Sequence, residues 1–408
     1  MLNPKIKWVA IQPLVGGMAF AAEKVFKCHP SCVIDYQGVG NSDLYVDYMI
    51  KKGSLSHYKF DNTLYSKSIT IAEDSKDADF ESNTTDVDVA IGVPICAGLS
   101  SANHASAKDS SMGLGSDATQ NNNMLSMLQY ATTALKPKVY IFENAYKLAT
   151  NLGDGIRAKL VKLANDAGYG VTLIKVNTEN YGSPQCRTRT FFIASKDGYA
   201  YKLAKPNIAR PSIEEVLKGL TNQKGFYIPD LAENPWYKYI YAKAGDNWRQ
   251  YMLDNHVYAI DLLLRKDKDF DFAKQFFDEK GQASIERFKA KFADGKGWIS
   301  DAPLYKGPYK ISSIYSHGMV RNLHPTEMRG YSLREFMRIM GLPDDMPEPK
   351  APYMIGQNVP VCTASYYMNQ ILNILNGKTE KIDKKFILLD DVPSSNLIKT
   401  PMSMMKHN

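Results

Sequence analysis

The sequence predicts an α/β fold into which a second, smaller lobe is inserted. Three observations lead there. Residues 7–26 read as a strand, a glycine turn and a helix. Short apolar strands then recur between helical stretches as far as about residue 204. From about Lys205 to His317 this alternation gives way to an aromatic, mixed-charge region, after which helical patterns return.

The bulk properties agree. A chain of 408 residues suits two domains, or one large domain with a substantial insertion. At 44% hydrophobic and 23% charged it has an ordinary globular composition. No apolar run reaches the roughly 18 residues of a membrane span, and the N-terminus does not read as a signal peptide. Five scattered cysteines (Cys28, Cys32, Cys96, Cys186 and Cys362) argue against a disulfide framework and for a reducing cytoplasm. Cys28-His29-Pro30-Ser31-Cys32 has the look of half a metal site, but no second cluster follows, so no metal is expected. The net charge of +7 permits a nucleic-acid partner without demanding one.

In chain order, residues 7–14 form the first expected strand, and Pro13 to Met18 the turn, with Gly16 and Gly17. Here the backbone approaches a nucleotide-like ligand at a helix N-terminus, or simply turns. A helix follows at 19–26. A second strand, 31–36, ends at Asp35, where doubly wound folds bind ribose hydroxyls. Residues 41–52 read as helical, and 53–85 as polar and irregular, with acids at Asp74, Asp77 and Asp79.

The stretch 86–101 organises the rest. Val87, Val89, Ile91 and Val93 make a strand that breaks at Gly92 and Pro94 and delivers Cys96 into a loop of small residues. A thiol at the carboxyl end of such a strand lies where α/β sheets hold their ligands. It is equally what an ordinary buried cysteine looks like. Residues 102–122 are rich in Ser, Gly, Asn and Asp and read as a long loop. A helix is expected at 124–135. A buried strand at 138–143 ends in Glu143-Asn144, a carboxylate directly after apolar residues. Next come a helix at 156–164, a strand at 170–176, and Gln185-Cys-Arg187-Thr-Arg189 leading into a strand at 190–194. Alternate spacing puts both guanidiniums on one side of an extended segment, which suits a phosphate or carboxylate.

Taken together these pieces resemble the DNA (cytosine-5) methyltransferases. Pro13 to Met18 resembles that family's first motif. Gly92-Val-Pro94-Ile-Cys96 resembles its Pro-Cys nucleophile loop, and Phe142-Glu143-Asn144-Ala145 its Glu-Asn-Val motif. Gln185 to Arg189 resembles its Gln-x-Arg-x-Arg motif. The segment Arg329 to Asp344 resembles its Arg-x-Leu-Thr-x-Arg-Glu and Gly-Phe-Pro region, and Ile355 to Pro360 its closing Gly-Asn-x-Val-Pro motif. Phage or mobile-element members look most similar. Two departures stand out. Ile95 intervenes between Pro94 and Cys96, with Ala97 where the family has Gln after Cys. The family's first-motif aromatic and first glycine stand here as Gln12 and Leu14.

The resemblance implies a Rossmann-like S-adenosylmethionine-dependent methyltransferase fold acting on double-stranded DNA. Cys96 is the implied nucleophile, adding to carbon 6 of cytosine so that carbon 5 can take a methyl group. Glu143 is the implied acid near ring nitrogen 3. Asn144 is assigned to positioning, and Arg187 and Arg189 to the base carbonyl and nearby phosphate or thiolate. Gln12, Pro13, Leu14, Val15, Gly16, Gly17, Asp35, Pro94, Gln357 and Asn358 border the implied cofactor site, with Asp77 or Asp79 as the third-motif acid. Ser100 and Gln185 are expected to meet the substrate. The base must leave the duplex stack, and the loop after Gly98 is expected to close over it.

The inserted region carries the excess positive charge: residues 201–330 hold 21 Lys and Arg against 16 Asp and Glu. Its Pro235 to Tyr241 run reads either as a DNA-contacting surface or as a half-buried edge strand, and 270–292 as one helix. The expected division is 1–204 as catalytic lobe, 205–350 as target-recognition region with its return segment, 351–377 completing the first lobe, and 378–408 as a peripheral tail. No protein partner is implied. Two other readings stay open: a methyltransferase-like DNA-binding protein that no longer turns over, and an RNA cytosine methyltransferase on the same scaffold.

Overall fold

The β-branched and aromatic runs of the chain assemble into one large sheet. A computed structural model describes residues 6–34, 44–62, 67–72, 84–100, 121–206, 208–255, 259, 262–293, 303–314, 322–349 and 353–392. Asp35, Asp74, Asp77, Asp79 and all but the last two residues of the stretch 102–122, expected as a loop, lie outside these described residues; Asn121 and Asn122 begin a helix. The strands are β1 (Trp8–Ile11), β2 (Cys32–Ile34), β3 (Leu55–Asn62), β4 (Lys67–Ala72), β5 (Val89–Gly92), β6 (Val139–Ala145), β7 (Gly170–Asn177), β8 (Thr188–Ser195), β9 (Ala200–Tyr201), β10 (Lys381–Ile382) and β11 (Phe386–Asp390). Nine of them form a sheet in the order β11-β7-β8-β6-β5-β1-β2-β4-β3.

The centre of this sheet is parallel: β1 pairs with β2 and β5, and β5 with β6. β8 runs antiparallel between β6 and β7. The chain goes from β1 to β2 on one side and to β5 and β6 on the other. The cleft at the carboxyl end of β1 is therefore a topological switch point, where open α/β sheets bind ligands.

Both faces of the sheet are covered, as a parallel sheet requires. The helices of this lobe are α1 (Gly17–Phe26), α2 (Leu44–Lys51), α3 (Asn121–Tyr130) and α4 (Asp154–Asp166). In the inserted region lie α5 (Ile213–Leu217), α6 (Pro235–Ala244), α7 (Trp248–Asn255), α8 (Phe270–Lys274) and α9 (Glu279–Ala293). α10 (Leu333–Ile339), α11 (Tyr353–Gln357) and α12 (Val361–Leu375) follow. Alternate residues of β1 serve opposite cores. Trp8 and Ala10 pack with α1, α10 and α12, while Val9 and Ile11 pack with α3 and α4. A third core belongs to the inserted region, with Trp236, Tyr239, Trp248, Leu263 and Ile285 at its centre.

Several elements differ from expectation. Residues 53–85, read as irregular, contain the antiparallel pair β3 and β4 at the sheet edge. The Ser-Ile-Thr-Ile run of β4 is β-forming, but its polar surroundings hid it. Pro235 to Tyr241 is helix, not edge strand. Asn234 caps α6 by accepting from the Trp236 and Tyr237 N–H groups, and Pro235 sits in its first turn. The single helix expected at 270–292 is two, α8 and α9. Asp278 separates them and accepts from the Gly281 N–H. The expected tail is not wholly peripheral, because β11 adds an edge strand parallel to β7.

The lobe boundary also shifts. Ile213 and Leu217 of α5 and residues 331–346 belong to the first core, so the inserted core starts at Ile228. Five polar residues form a tight unit where the chain returns. Arg329 grips both oxygens of Glu335 at 2.7 Å, and Glu335 completes a capping box with Ser332 at the start of α10. His324 Nδ1 accepts the Glu327 N–H at 3.0 Å. His324, Glu327 and Glu335 lie close enough together to suggest a cation site. Arg329 already supplies the positive charge, so the cluster reads as a structural cap. In the Cys28 to Cys32 stretch, Cys32 is fully buried in β2, while the Cys28 thiol donates to the Ile6 carbonyl.

Candidate active site

Three strand ends build the site. β1 leads into Gln12 to Gly17, β5 into Pro94 to Ser100, and β6 carries Glu143 and Asn144 in its last turn of pleat. Because β8 is antiparallel to β6, its first residues reach the same edge. Arg189 lies opposite Ala145, on the face that also holds Glu143.

Glu143 is 5% exposed, and Arg189 Nε approaches its Oε1 at 2.8 Å. Burial raises the Glu143 carboxyl above its ordinary range, against the opposing pull of Arg189 and Arg187. Cys96 feels the same group of charges. Desolvation raises its thiol, Arg189 and Arg187 pull it down, and Glu143 pushes it up. Arg187 is itself brought down to about 9 by burial and by Arg189. The four residues singled out in three separate motifs therefore form one electrostatic unit. Burial and the two guanidiniums act in opposite directions on both its carboxyl and its thiol.

Small contacts set the nucleophile loop. A side chain at Gly92 would force its neighbours to move, since a Cβ there would lie 2.5 Å from the Tyr140 hydroxyl and 2.6 Å from the Met127 sulfur. Pro94 is buried, and residues 97–99 make a 3-10 turn that ends at Ser100. Asn144 is fully buried. Its Oδ1 accepts the Ala145 N–H at 2.8 Å, and its Nδ2 reaches the Ile95 carbonyl at 3.5 Å.

The turn after β1 is equally constrained. Gln12 and Leu14 both have positive φ, 52° and 57°. Leu14, which stands where the resembled motif has its first glycine, thus adopts a backbone conformation that favours glycine. Gly16 caps α1 with φ 103°. A Cβ on Gly17 would lie 2.0 Å from the Val359 carbonyl oxygen, and the Gly17 N–H donates to Asn358 Oδ1 at 2.6 Å. Asn358 thus caps α1 from the far end of the chain. Val15 turns its side chain into the core, leaving only its backbone to a ligand. Gln357 is exposed.

One expectation changes. Gln185, expected to meet substrate, is fully buried, and its amide is used inside the protein. Oε1 accepts the Ile314 N–H at 2.9 Å, and Nε2 points to the Met340 sulfur at 2.7 Å. Arg187 works beside it, donating to the carbonyls of Ile314 and Asn358, each at 3.1 Å. These two residues clamp the segment returning from the inserted region. The clamp could not be read from the motif, because its partners lie more than 120 residues away. A cavity of about 540 Å³ near Lys202, Gln370 and Asp391 contains none of the site residues.

The sheet and its switch-point cleft bring a thiol, a carboxyl and two guanidiniums to one edge of an α/β fold, beside a strand–turn–helix. The comparisons name the family. A family model described as C-5 cytosine-specific DNA methylase matches residues 40–373. The chain is 24% identical over 342 residues to Type II methyltransferase M.XorII of Xanthomonas oryzae pv. oryzae, covering 75% of this chain and 72% of that protein. It is 26% identical over 270 residues to Type II methyltransferase M.PspPI of a Psychrobacter species, covering 62% and 58%. In fold it is similar to a putative DNA modification methyltransferase encoded within a prophage in E. coli, with TM-score 0.50, 17% identity, and 91% and 99% of the two chains covered. It is likewise similar to the Entamoeba histolytica methyltransferase EhMeth, with TM-score 0.51, 12% identity and the same coverage. The chain belongs to the C-5 cytosine-specific DNA methylases and is a DNA (cytosine-5) methyltransferase. Among the described residues no helix is long and apolar enough to cross a membrane.

Proposed function

We propose that the chain methylates carbon 5 of a cytosine turned out of double-stranded DNA, with Cys96 as nucleophile, Glu143 as acid and S-adenosylmethionine as methyl donor. The observation that carries this reading is the convergence of Cys96, Glu143, Arg187 and Arg189 on one strand edge. The Cys96 thiolate adds to carbon 6 of the ring. The charge that this places on the ring is met at nitrogen 3 by a proton from Glu143, whose carboxyl burial raises above its ordinary range. Arg189 supports the thiolate by charge. Reaching carbon 6 requires the base to leave the stack.

The residues after β1 fit the proposed cofactor. Gln12 Nε2 and Asn358 Nδ2 are buried donors with no hydrogen-bond partner among the described residues, and both flank the start of α1. Such donors suit a carboxylate or an adenine edge. S-adenosylmethionine would supply the methyl electrophile there, held by Gln12, the Pro13 to Gly17 backbone and Asn358. Asp35, outside the described residues, is proposed for the ribose and Ser100 for the DNA. The core built on Trp236 and Trp248 is proposed as the part that reads the target sequence.

Cytosine bearing fluorine at carbon 5 tests the assignment, because elimination stalls after methyl transfer. Copying a long DNA with the fluorinated nucleotide presents every target at once. Wild type should give a denaturation-resistant adduct that requires S-adenosylmethionine. Cys96→Ser should give none, Glu143→Gln should form it slowly, and Cys186→Ser should form it normally. An adduct mapped to another cysteine would overturn the assignment. DNA binding with no adduct would favour a binding protein.

A further inference from the structure

Ile95 is the residue by which this nucleophile loop exceeds the resembled motif, and an added residue must be held somehow. The structure holds it by its backbone. The Ile95 N–H donates to Asn123 Oδ1 at 2.9 Å, and its carbonyl accepts from Asn144 Nδ2 at 3.5 Å. Asn123 lies in the first turn of α3 and belongs to none of the motifs that assign the site. Its Nδ2 in turn reaches Gln12 Oε1 at 3.5 Å, at the long limit for a hydrogen bond. Gln12 is 1% exposed, and its own Nε2 has no partner among the described residues. Asn123 therefore touches both the turn after β1 and the loop that delivers Cys96.

We propose that Asn123 is a positioning residue for the nucleophile: it fixes the Ile95 peptide, absorbs the extra residue between Pro94 and Cys96, and ties the loop to Gln12 at the proposed cofactor turn. The proposal rests on Cys96 being the nucleophile. The physical reason is the leverage of two successive peptides. Asn123 holds the Pro94–Ile95 peptide through the Ile95 N–H, and Asn144 reaches the Ile95–Cys96 peptide through the Ile95 carbonyl. With the N–H released, the expanded loop gains a soft torsion one peptide before the reacting residue, and only the longer Asn144 contact restrains the peptide that carries Cys96. Near-attack geometry is sensitive to displacements of this kind.

The test uses the full-length protein, S-adenosylmethionine and DNA copied with the 5-fluorocytosine nucleotide. The rate of adduct formation is measured at saturating DNA and cofactor. Asn123→Ala removes the acceptor and should slow the adduct about tenfold. S-adenosylmethionine affinity should stay within about twofold, so the loss falls on the covalent step and not on binding. Asn123→Asp keeps an oxygen for the Ile95 N–H and puts its second oxygen where Nδ2 stood, and the Gln12 amide can turn its Nε2 toward that second oxygen. It should recover the rate to within about threefold of wild type. A general packing defect would not be repaired by an acidic isostere. Hydrogen exchange of the peptide spanning 93–97 should quicken in the alanine variant and return in the aspartate variant. An alanine variant that traps at the wild-type rate overturns the proposal, as does an aspartate variant no faster than alanine. Absence of an adduct with wild type would instead overturn the Cys96 assignment, and this proposal with it.

Discussion

Arg189 sets how both acids of the site titrate. It is the strongest influence lowering the Cys96 thiol and also the strongest lowering the Glu143 carboxyl. Replacing it by Gln therefore raises both. A raised carboxyl stays protonated over a wider range, which does not harm a proton donor. A raised thiol is less ionised near neutral pH, which harms a nucleophile. The rising limb of adduct formation against pH should move to higher pH in Arg189→Gln, and each unit of movement should cost about tenfold at a fixed pH below it. Raising the pH should restore the rate. A loss that is equal at every pH would mean that Arg189 acts by contacting DNA. Cys186 marks the contrast between neighbouring thiols. Burial and Glu179 push it up to about 11, with Lys310 and Lys306 pulling the other way. Alternation along an extended segment was enough to predict that Arg187 and Arg189 share a face. It could not reveal that Gln185 is used up at the clamp, because Ile314 and Met340 are far away in sequence.

At the scale of elements, α1 starts against the closing motif. Gly17 permits that approach, and any side chain there must displace the Val359 carbonyl or the Asn358 cap. Gly17→Ala should destabilise the protein by about 1–3 kcal/mol, the usual cost of overpacking. It should also weaken S-adenosylmethionine binding, read by calorimetric titration. Gly168 is the control. It has φ +88°, and a Cβ added there would meet nothing within 4 Å. Gly168→Ala should cost stability through backbone strain alone, about 1 kcal/mol, and leave cofactor affinity unchanged. Equal loss of affinity in the two variants would show that destabilisation, not the cap, weakens binding. Elements whose signal is local were legible in the sequence: β1, β5, β6 and α12 are apolar runs or apolar periodicities with clear stops. Elements that depend on a partner were not. β11 is a short apolar segment that becomes an edge strand only because β7 offers its free side. α6 reads as alternating Tyr and Lys, and the Asn234 cap with Pro235 outweighs that alternation.

At the scale of the whole molecule, the described residues show the two cores that flank the sheet, the inserted core and a joint between them. The inserted core uses Ile228 to Leu323, whereas α5, Ile311 and Ile314 pack with the first lobe. The composition shift near residue 205 located the insertion but not its edge, since α5 is amphipathic in its own right and packs against α10. The joint consists of backbone pairing of Cys186 with Ile311, together with the clamp from Gln185 and Arg187 to Ile314. A chimera should therefore respect it. Exchanging residues 226–310 for the corresponding segment of another family member leaves the clamp intact and replaces the core of Trp236, Trp248 and Ile285. It should retain methylation and acquire the donor's target sequence, read by sequencing the methylome of cells that express it. A wider exchange of 205–317 removes α5 from beneath α10 and takes Ile311 and Ile314 from the joint. It should lose stability and turnover even if the target changes. If the narrow chimera still methylates the original sequence, the reading of DNA lies outside the inserted core. If both chimeras are equally active, the joint does not couple the lobes.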